Sequence, residues 1–193
     1  MDRSKMEAGI RKFLEGVGQR FPGDDLEATP ERVARAWAED LLGGYAVDPD
    51  AEVSWTQAPE GSGPVLVSKI SFASVCVHHL LPFTGFAQVA YLPGERQAGL
   101  SKIGRVVDAL ARRLQTQERL TARIVATLER TLQPRGVLAV LEAEHTCMTL
   151  RGVRKEQSRM MTLAAAGLYE RDPAAKRELL DLIQARSGAD PRR

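Results

Sequence analysis

The chain holds three histidines and two cysteines, and all five fall in two short runs. Cys76, His78 and His79 stand in Cys-Val-His-His; His145 and Cys147 stand in His-Thr-Cys. Thiolate and imidazole are ligands that zinc prefers, and a catalytic zinc takes three protein ligands and keeps a position open. Along a strand, successive side chains face opposite ways, so His78 and His79 are not expected to share one metal unless the chain bends. Cys76 and His79 converge if the strand ends and turns between them, which Leu81-Pro82-Phe83 and Gly85 favour. Cys147 then offers a third ligand from a neighbouring strand end. His78 and His145 are left beside the metal for proton transfer, work suited to an unperturbed pKa of about 6.5. Two other readings use the same residues. A closed structural zinc site would recruit His78 or His145 as a fourth ligand. Without metal, the thiols are small buried side chains and the histidines are hydrogen-bonded structure.

A second group of residues is cationic. Ser101 and Lys102 open an expected helix, where free backbone N–H groups and the helix dipole attract anions. Arg105 lies one turn on and faces the same way as Lys102. Arg151, Arg154 and Lys155 follow the Cys147 segment. Basic side chains at a helix start oppose the dipole, so a bound polyphosphate explains Lys102 and Arg105 better than stability does.

The elements that must position these groups follow from periodicity. Ile10, Leu14, Val17 and Phe21 recur at helical spacing, and ERVARAWAEDLL continues the helical region to about Tyr45. Thr29 is the expected N-cap of that second helix, with Pro30 at its first position. Residues 47–64, rich in Pro, Gly and acidic residues, read as a loop. VLVSKISFASVCV and GFAQVAYLP read as strands. Two helices follow. The first, capped by Ser101, carries Ile103, Val106, Val107, Leu110 and Leu114 on one stripe; the second, from about Glu118 to Leu132, carries Leu120, Ile124, Leu128 and Leu132. GVLAVLEAEHTCM is a buried strand that turns polar at its end, RMMTLAAAGLY is a fourth strand, and a last helix begins at about Pro173. This order predicts an α+β fold, with an antiparallel sheet covered on one face. It divides as an N-terminal helical region and loop, 1–60, and a catalytic domain with its C-terminal helix, 61–193.

Composition is that of a globular protein: 193 residues, 44% apolar and 27% charged, with a formal net charge of +2. That charge gives no ground for nucleic-acid binding. No apolar run is long enough to span a membrane and the N-terminus lacks a signal-peptide pattern, so a cytoplasmic protein is expected.

The runs CVHHLLPFTG, YLP, GLSKIGRVV, RRLQTQERLT and EAEHTCMTLRGV, in this order and spacing, resemble the GTP cyclohydrolase I family. The likeness extends from about Thr29 to the final helix. It implies a tunnelling fold of ββαα type, assembled as a toroidal homo-oligomer, a decamer, with active sites between subunits. It implies zinc-dependent opening of the purine ring of GTP at C8, formate release and formation of 7,8-dihydroneopterin triphosphate. By position, the resemblance puts the zinc ligands on Cys76, His79 and Cys147 and the proton-transfer histidines on His78 and His145. It puts guanine recognition on Glu118 beside Gln117. Triphosphate contacts fall on Ser101, Lys102, Arg105 and Arg151, with Arg32 reaching in from an adjacent subunit. A carboxylate at Glu118 can accept from guanine N1–H and the 2-amino group, a donor pattern that adenine lacks.

The chain departs from the family at Val77, where glutamate is usual, and at Leu163 and Ala164, where hydroxyls are common. Glu144, next to His145, is a candidate substitute for the missing carboxylate. Three further readings therefore stand beside the main one. The first is a specialised paralogue that acts on GTP or another purine nucleotide and stops at a ring-opened or altered product. The second is a metal-free reductase with a cysteine nucleophile. The third is a zinc-bound scaffold that binds nucleotide without turnover.

Overall fold

In a computed structural model, residues 1–18 and 25–187 are described. Phe21, expected on the first helical stripe, and the polar tail beyond the last helix lie outside them. Helix α1 (Arg3–Gly16) starts at Asp2, whose carboxylate accepts from the Lys5 N–H, and packs on α2 (Thr29–Ala36). Thr29 is not the cap expected of it. Ala28 is the N-cap, without a side-chain bond, and Thr29 and Pro30 are already helical. A turn of π-helix (Trp37–Leu41) and a 3-10 turn (Gly43–Ala46) end the helical region.

The expected loop contains a strand, β1 (Trp55–Gln57), which pairs antiparallel with β4 (Arg96–Ala98). Three residues bonded to a segment forty positions on carry too little periodicity to be read locally. The main sheet has the order β5-β2-β3-β6-β7, formed by β5 (Leu114–Gln115), β2 (Val65–Cys76), β3 (Pro82–Leu92), β6 (Gly136–His145) and β7 (Met160–Gly167). It is antiparallel except at β5, which runs parallel to the end of β2. Leu114, expected to end a helical stripe, sits in β5 because α3 (Leu100–Ala111) stops three residues earlier.

Helices α3 and α4 (Gln117–Leu132) cover one face. Ile103, Val106, Val107 and Leu110 from α3, and Leu120, Ile124, Leu128 and Leu132 from α4, are buried against Phe72, Val89, Tyr91 and Leu141. The other face is not bare, as a sheet covered on one side would require. Leu179 and Ile183 of α7 (Pro173–Ser187), with Tyr169 of α6 (Leu168–Arg171), pack on Ala90, Leu138 and Val140. Residues on both faces of β6 are therefore buried, which explains its unbroken apolar run. Among the described residues, no helix is long and apolar enough to cross a membrane.

Two contacts set the strand ends that matter. Phe83 of β3 pairs with His145 of β6, and two residues along, Gly85 pairs with Ala143. A Cβ on Gly85 would lie 1.9 Å from the Glu142 carbonyl oxygen and 2.7 Å from Ala143 Cα. Only glycine lets β3 and β6 approach this closely. Gly85→Ala should force them apart and cost about 1–3 kcal/mol, read as a lower denaturant midpoint. An unchanged midpoint would show that the strands separate without loss.

Candidate active site

Strand β2 ends at Cys76, and the chain turns through Val77, His78 and His79 into β3. The Leu80 N–H donates to the Cys76 carbonyl at 2.9 Å, and the Cys76 N–H donates to the Leu81 carbonyl at 2.9 Å. This single helical turn, with Leu80 at φ 53°, brings positions three apart to one side. Cys76 Sγ and His79 Nδ1 are 4.0 Å apart. Cys147 joins them from α5 (Thr146–Thr149), a short helix after β6. The expected strand through Met148 stops at His145, where Thr146 turns away and donates its hydroxyl to the Pro82 carbonyl. One ligand atom from each of Cys76, His79 and Cys147 lies within 4.8 Å of the others.

This donor set fits zinc. A tetrahedral ion with Zn–S near 2.3 Å and Zn–N near 2.0 Å spaces its ligands by about 3.5–3.8 Å, so small side-chain movements complete the site. The chemistry agrees with the spacing. Burial pushes the Cys147 thiol up, and the neighbouring Cys76 charge adds to this, while Arg151 acts the other way. A half-buried thiol that resists losing its proton, with a second thiol beside it, is what a divalent cation relieves.

The second shell of side chains is centred on His145. Its ring stacks on Phe83 at 4.5 Å between centroids and 4° between planes. Its Nε2 lies 2.9 Å from Gln117 Oε1. Burial pulls the His145 pKa down, opposed by the charge of Glu118. His78 is exposed and meets His79 edge to face at 6.3 Å. Glu118 is exposed in the first turn of α4, where Thr116 caps the helix by accepting from the Arg119 N–H. Its carboxyl is held below the usual range first by its own backbone N–H, then by the Thr116 hydroxyl, with His145 and His78 contributing. Glu118, His145 and His78 thus share one electrostatic neighbourhood.

Gln117, expected among the substrate contacts, is 1% exposed, with its amide engaged in the core. Glu144 pairs with Thr84, one step before His145, so alternation directs it to the opposite face from that histidine. That placement does not favour Glu144 as a substitute for a carboxylate at Val77, which is 39% exposed in the turn.

The cationic group is less tightly held. Gly99, not Ser101, is the N-cap of α3, because the helix begins two residues earlier than a serine cap requires. No side chain bonds that cap; the Lys102 N–H donates to the Gly99 carbonyl at 2.9 Å, and Ser101 and Lys102 stand in the first turn. Arg105 faces Glu52 at 3.8 Å, Arg151 follows α5, and Arg32 is exposed on the first turn of α2. Among the described residues, no hydrogen bond joins these five side chains to the two clusters. Phe83, Thr116, Thr121 and Thr162 were not foreseen; their contribution depends on strand register and helix packing that no local motif carries.

The sequence model of the GTP cyclohydrolase I family matches residues 6–184. The chain belongs to the GTP cyclohydrolase I family. Among relatives, GTP cyclohydrolase 1 of Rhodopirellula baltica is 46% identical over 183 residues, covering 95% of this chain and 80% of that protein. GTP cyclohydrolase 1 of Mycobacteroides abscessus is 47% identical over 184 residues, covering 94% and 90%. That of Pelotomaculum thermopropionicum is 43% identical over 187 residues, covering 96% and 99%. Membership extends over nearly the whole chain, α1 included, a longer reach than the motifs alone mark out.

The purified chain should carry about one zinc ion per subunit, and Cys147→Ser should release most of it. Elemental analysis after gel filtration checks both. Full retention by Cys147→Ser would remove Cys147 from the ligand set.

Proposed function

We propose that the protein is a zinc-dependent GTP cyclohydrolase that opens the purine ring of GTP at C8, releases formate and yields 7,8-dihydroneopterin triphosphate. The observation that carries this is the three-ligand cluster of Cys76, His79 and Cys147, beside two histidines that remain outside it, in a chain of this family. A closed four-ligand site would have drawn one of those histidines in. His145 is instead hydrogen-bonded to Gln117, which disfavours a purely structural metal.

Bound there, zinc supplies Lewis acidity and an activated water at neutral pH. The protein residues do the rest. Glu118, kept ionised by its N–H and hydroxyl contacts, accepts from the guanine N1–H and 2-amino group and sets the base in place. His145, whose pKa burial lowers, is suited to taking up a proton and passing it to N7 as the ring opens. His78, exposed and beside His79, manages the proton of the attacking water. The positive end of α3, with Ser101, Lys102, Arg105 and Arg151, holds the triphosphate. Arg105 must exchange its long contact with Glu52 for phosphate, a small loss for an exposed pair.

The assembly is proposed to be a toroidal homodecamer of tunnelling-fold subunits, with Arg32 of one subunit completing the phosphate site of another. Support comes from the sheet margins. β7 is an edge strand, β2 is covered by β5 only at Val75 and Cys76, and Phe86, Met161 and Leu163 are exposed. Long open edges of this kind call for a partner strand. Residues 1–60 are proposed as a helical region distinct from the catalytic domain over 61–193, and the location as cytoplasmic.

The deciding experiment incubates zinc-loaded protein with GTP and follows formate and product mass together. Formate with a dihydropterin triphosphate is expected. A ring-opened product would favour the paralogue reading, for which Val77 is the motivating departure; binding without turnover would favour the scaffold. Two variants sharpen the assignment. Glu118→Ala should lower kcat/KM for GTP about 10- to 100-fold through lost charged hydrogen bonds, without a change in zinc content. Val77→Glu should alter turnover or product, and identical kinetics and product would make the valine a neutral replacement.

A further inference from the structure

The polar ring behind His145 has a fixed direction. Thr121 Oγ1 lies 2.8 Å from the Gln117 backbone carbonyl, which only accepts, so the Thr121 hydroxyl donates there. With its proton spent, Thr121 accepts from Thr162 Oγ1, 2.6 Å away. Thr162 in turn accepts from Gln117 Nε2 at 3.0 Å. The same nitrogen faces the Leu141 and Met160 carbonyls, each at 3.0 Å. Three acceptors on one side of the amide require its NH2 group there, because an oxygen would meet two carbonyls.

Gln117 Oε1 is therefore the end that meets His145 Nε2, and an amide oxygen only accepts. The proton of neutral His145 is placed on Nε2. Its Nδ1 is left as the nitrogen with a free lone pair. The stack on Phe83, which is fully buried, opposes rotation of the ring. Gln117 and Thr121 are each 1% exposed, so neither has a face left for a ligand.

We propose that Gln117 is a positioning residue, which fixes the His145 proton on Nε2 and presents Nδ1 as the nitrogen that exchanges protons with substrate. It is thereby removed from the substrate contacts among which its sequence position placed it. Thr162 and Thr121 hold the amide in the one orientation that works. This orientation survives the loss of hydroxyls at Leu163 and Ala164 because the hydroxyl that meets Gln117 and Thr121 belongs to Thr162. Only the kinetic consequence rests on the GTP reaction proposed above; the tautomer stands or falls without it.

The test is nitrogen NMR on zinc-loaded protein labelled with 15N-histidine, without nucleotide. The chain's three histidines make assignment tractable, with His145→Asn removing one set of signals. The wild type is expected to show His145 protonated on Nε2 and bare on Nδ1. Gln117→Met, similar in length and without an acceptor oxygen, should give mixed tautomers. Its kcat should fall by up to about 100-fold with KM for GTP little changed, as expected when proton transfer loses its alignment. Gln117→Glu as the neutral acid keeps an oxygen on His145 and an O–H for a carbonyl, and should restore the wild-type signal. A wild-type His145 protonated on Nδ1 overturns the proposal, and that spectrum decides even if Gln117→Met fails to fold. A Gln117→Met enzyme with raised KM, unchanged kcat and an unmoved tautomer would return Gln117 to the substrate contacts.

Discussion

The register of three strands governs the site. Val75 of β2 lies opposite Pro82 of β3, and Phe83 of β3 lies opposite His145 of β6. Cys76 follows the first pair and Cys147 follows the second by two residues. Ligands from distant parts of the chain therefore meet only if both pairings hold. A slip of one residue between β3 and β6 would turn His145 to the opposite face and carry Cys147 with it. The close approach at Gly85 and the buried ring of Phe83 both lie on this seam, which is where such a slip has to be prevented.

Behind the seam, the core polar groups tie the reacting elements to one another. Gln115, paired with Cys76, sends its amide N–H groups to Ser74 Oγ and to the Leu110 and Ala111 carbonyls at the end of α3. Its backbone carbonyl accepts from the Val77 N–H in the ligand turn. Gln117, two residues on, links α4 to β6 and β7. Alternate residues of one short segment thus brace the two cluster-bearing strand ends, one on each side. Gln117, bonded at both ends of its amide, specifies a geometry that apolar packing alone leaves looser, whereas the buried Oε1 of Gln115 has no partner among the described residues.

The parts legible in the sequence were those with rare residue types or long periods. Three histidines and two cysteines in two runs had few structural uses, so the cluster could be read before any fold was known. The stripes of α3 and α4 repeat often enough that Leu120, Ile124, Leu128 and Leu132 were recognisable as core, and all are fully buried. The helix starts were misread, by one residue at Thr29 and by two at Ser101, because both are good caps locally and nothing local shows that the helix begins earlier. The β1–β4 pair, the α5 turn and the second covered face depend on contacts between distant segments. Gln117 was placed by family position, yet its direction depends on Thr162, a residue of another strand that becomes its neighbour only when β7 docks.

Burial across the site follows what each group must do. In the proposed reaction His145, Cys76 and Gln117 act on bonds and protons, where an error of one ångström is costly, and each is held in or against the core. Glu118, proposed to read a base edge by hydrogen bonds, sits at a helix start that is capped but solvent-facing. Ser101, Lys102, Arg105 and Arg151 are proposed to hold a flexible polyanion, to which charge is felt over several ångströms and the exact rotamer matters less. The first three lie at the start of α3 and Arg151 in the bend after α5, and Arg105 rests against Glu52. The gradient from buried to exposed runs in the same direction as the proposed gradient from chemistry to binding. A site built in the reverse order would lose proton alignment to thermal motion while gaining nothing in its hold on the phosphates.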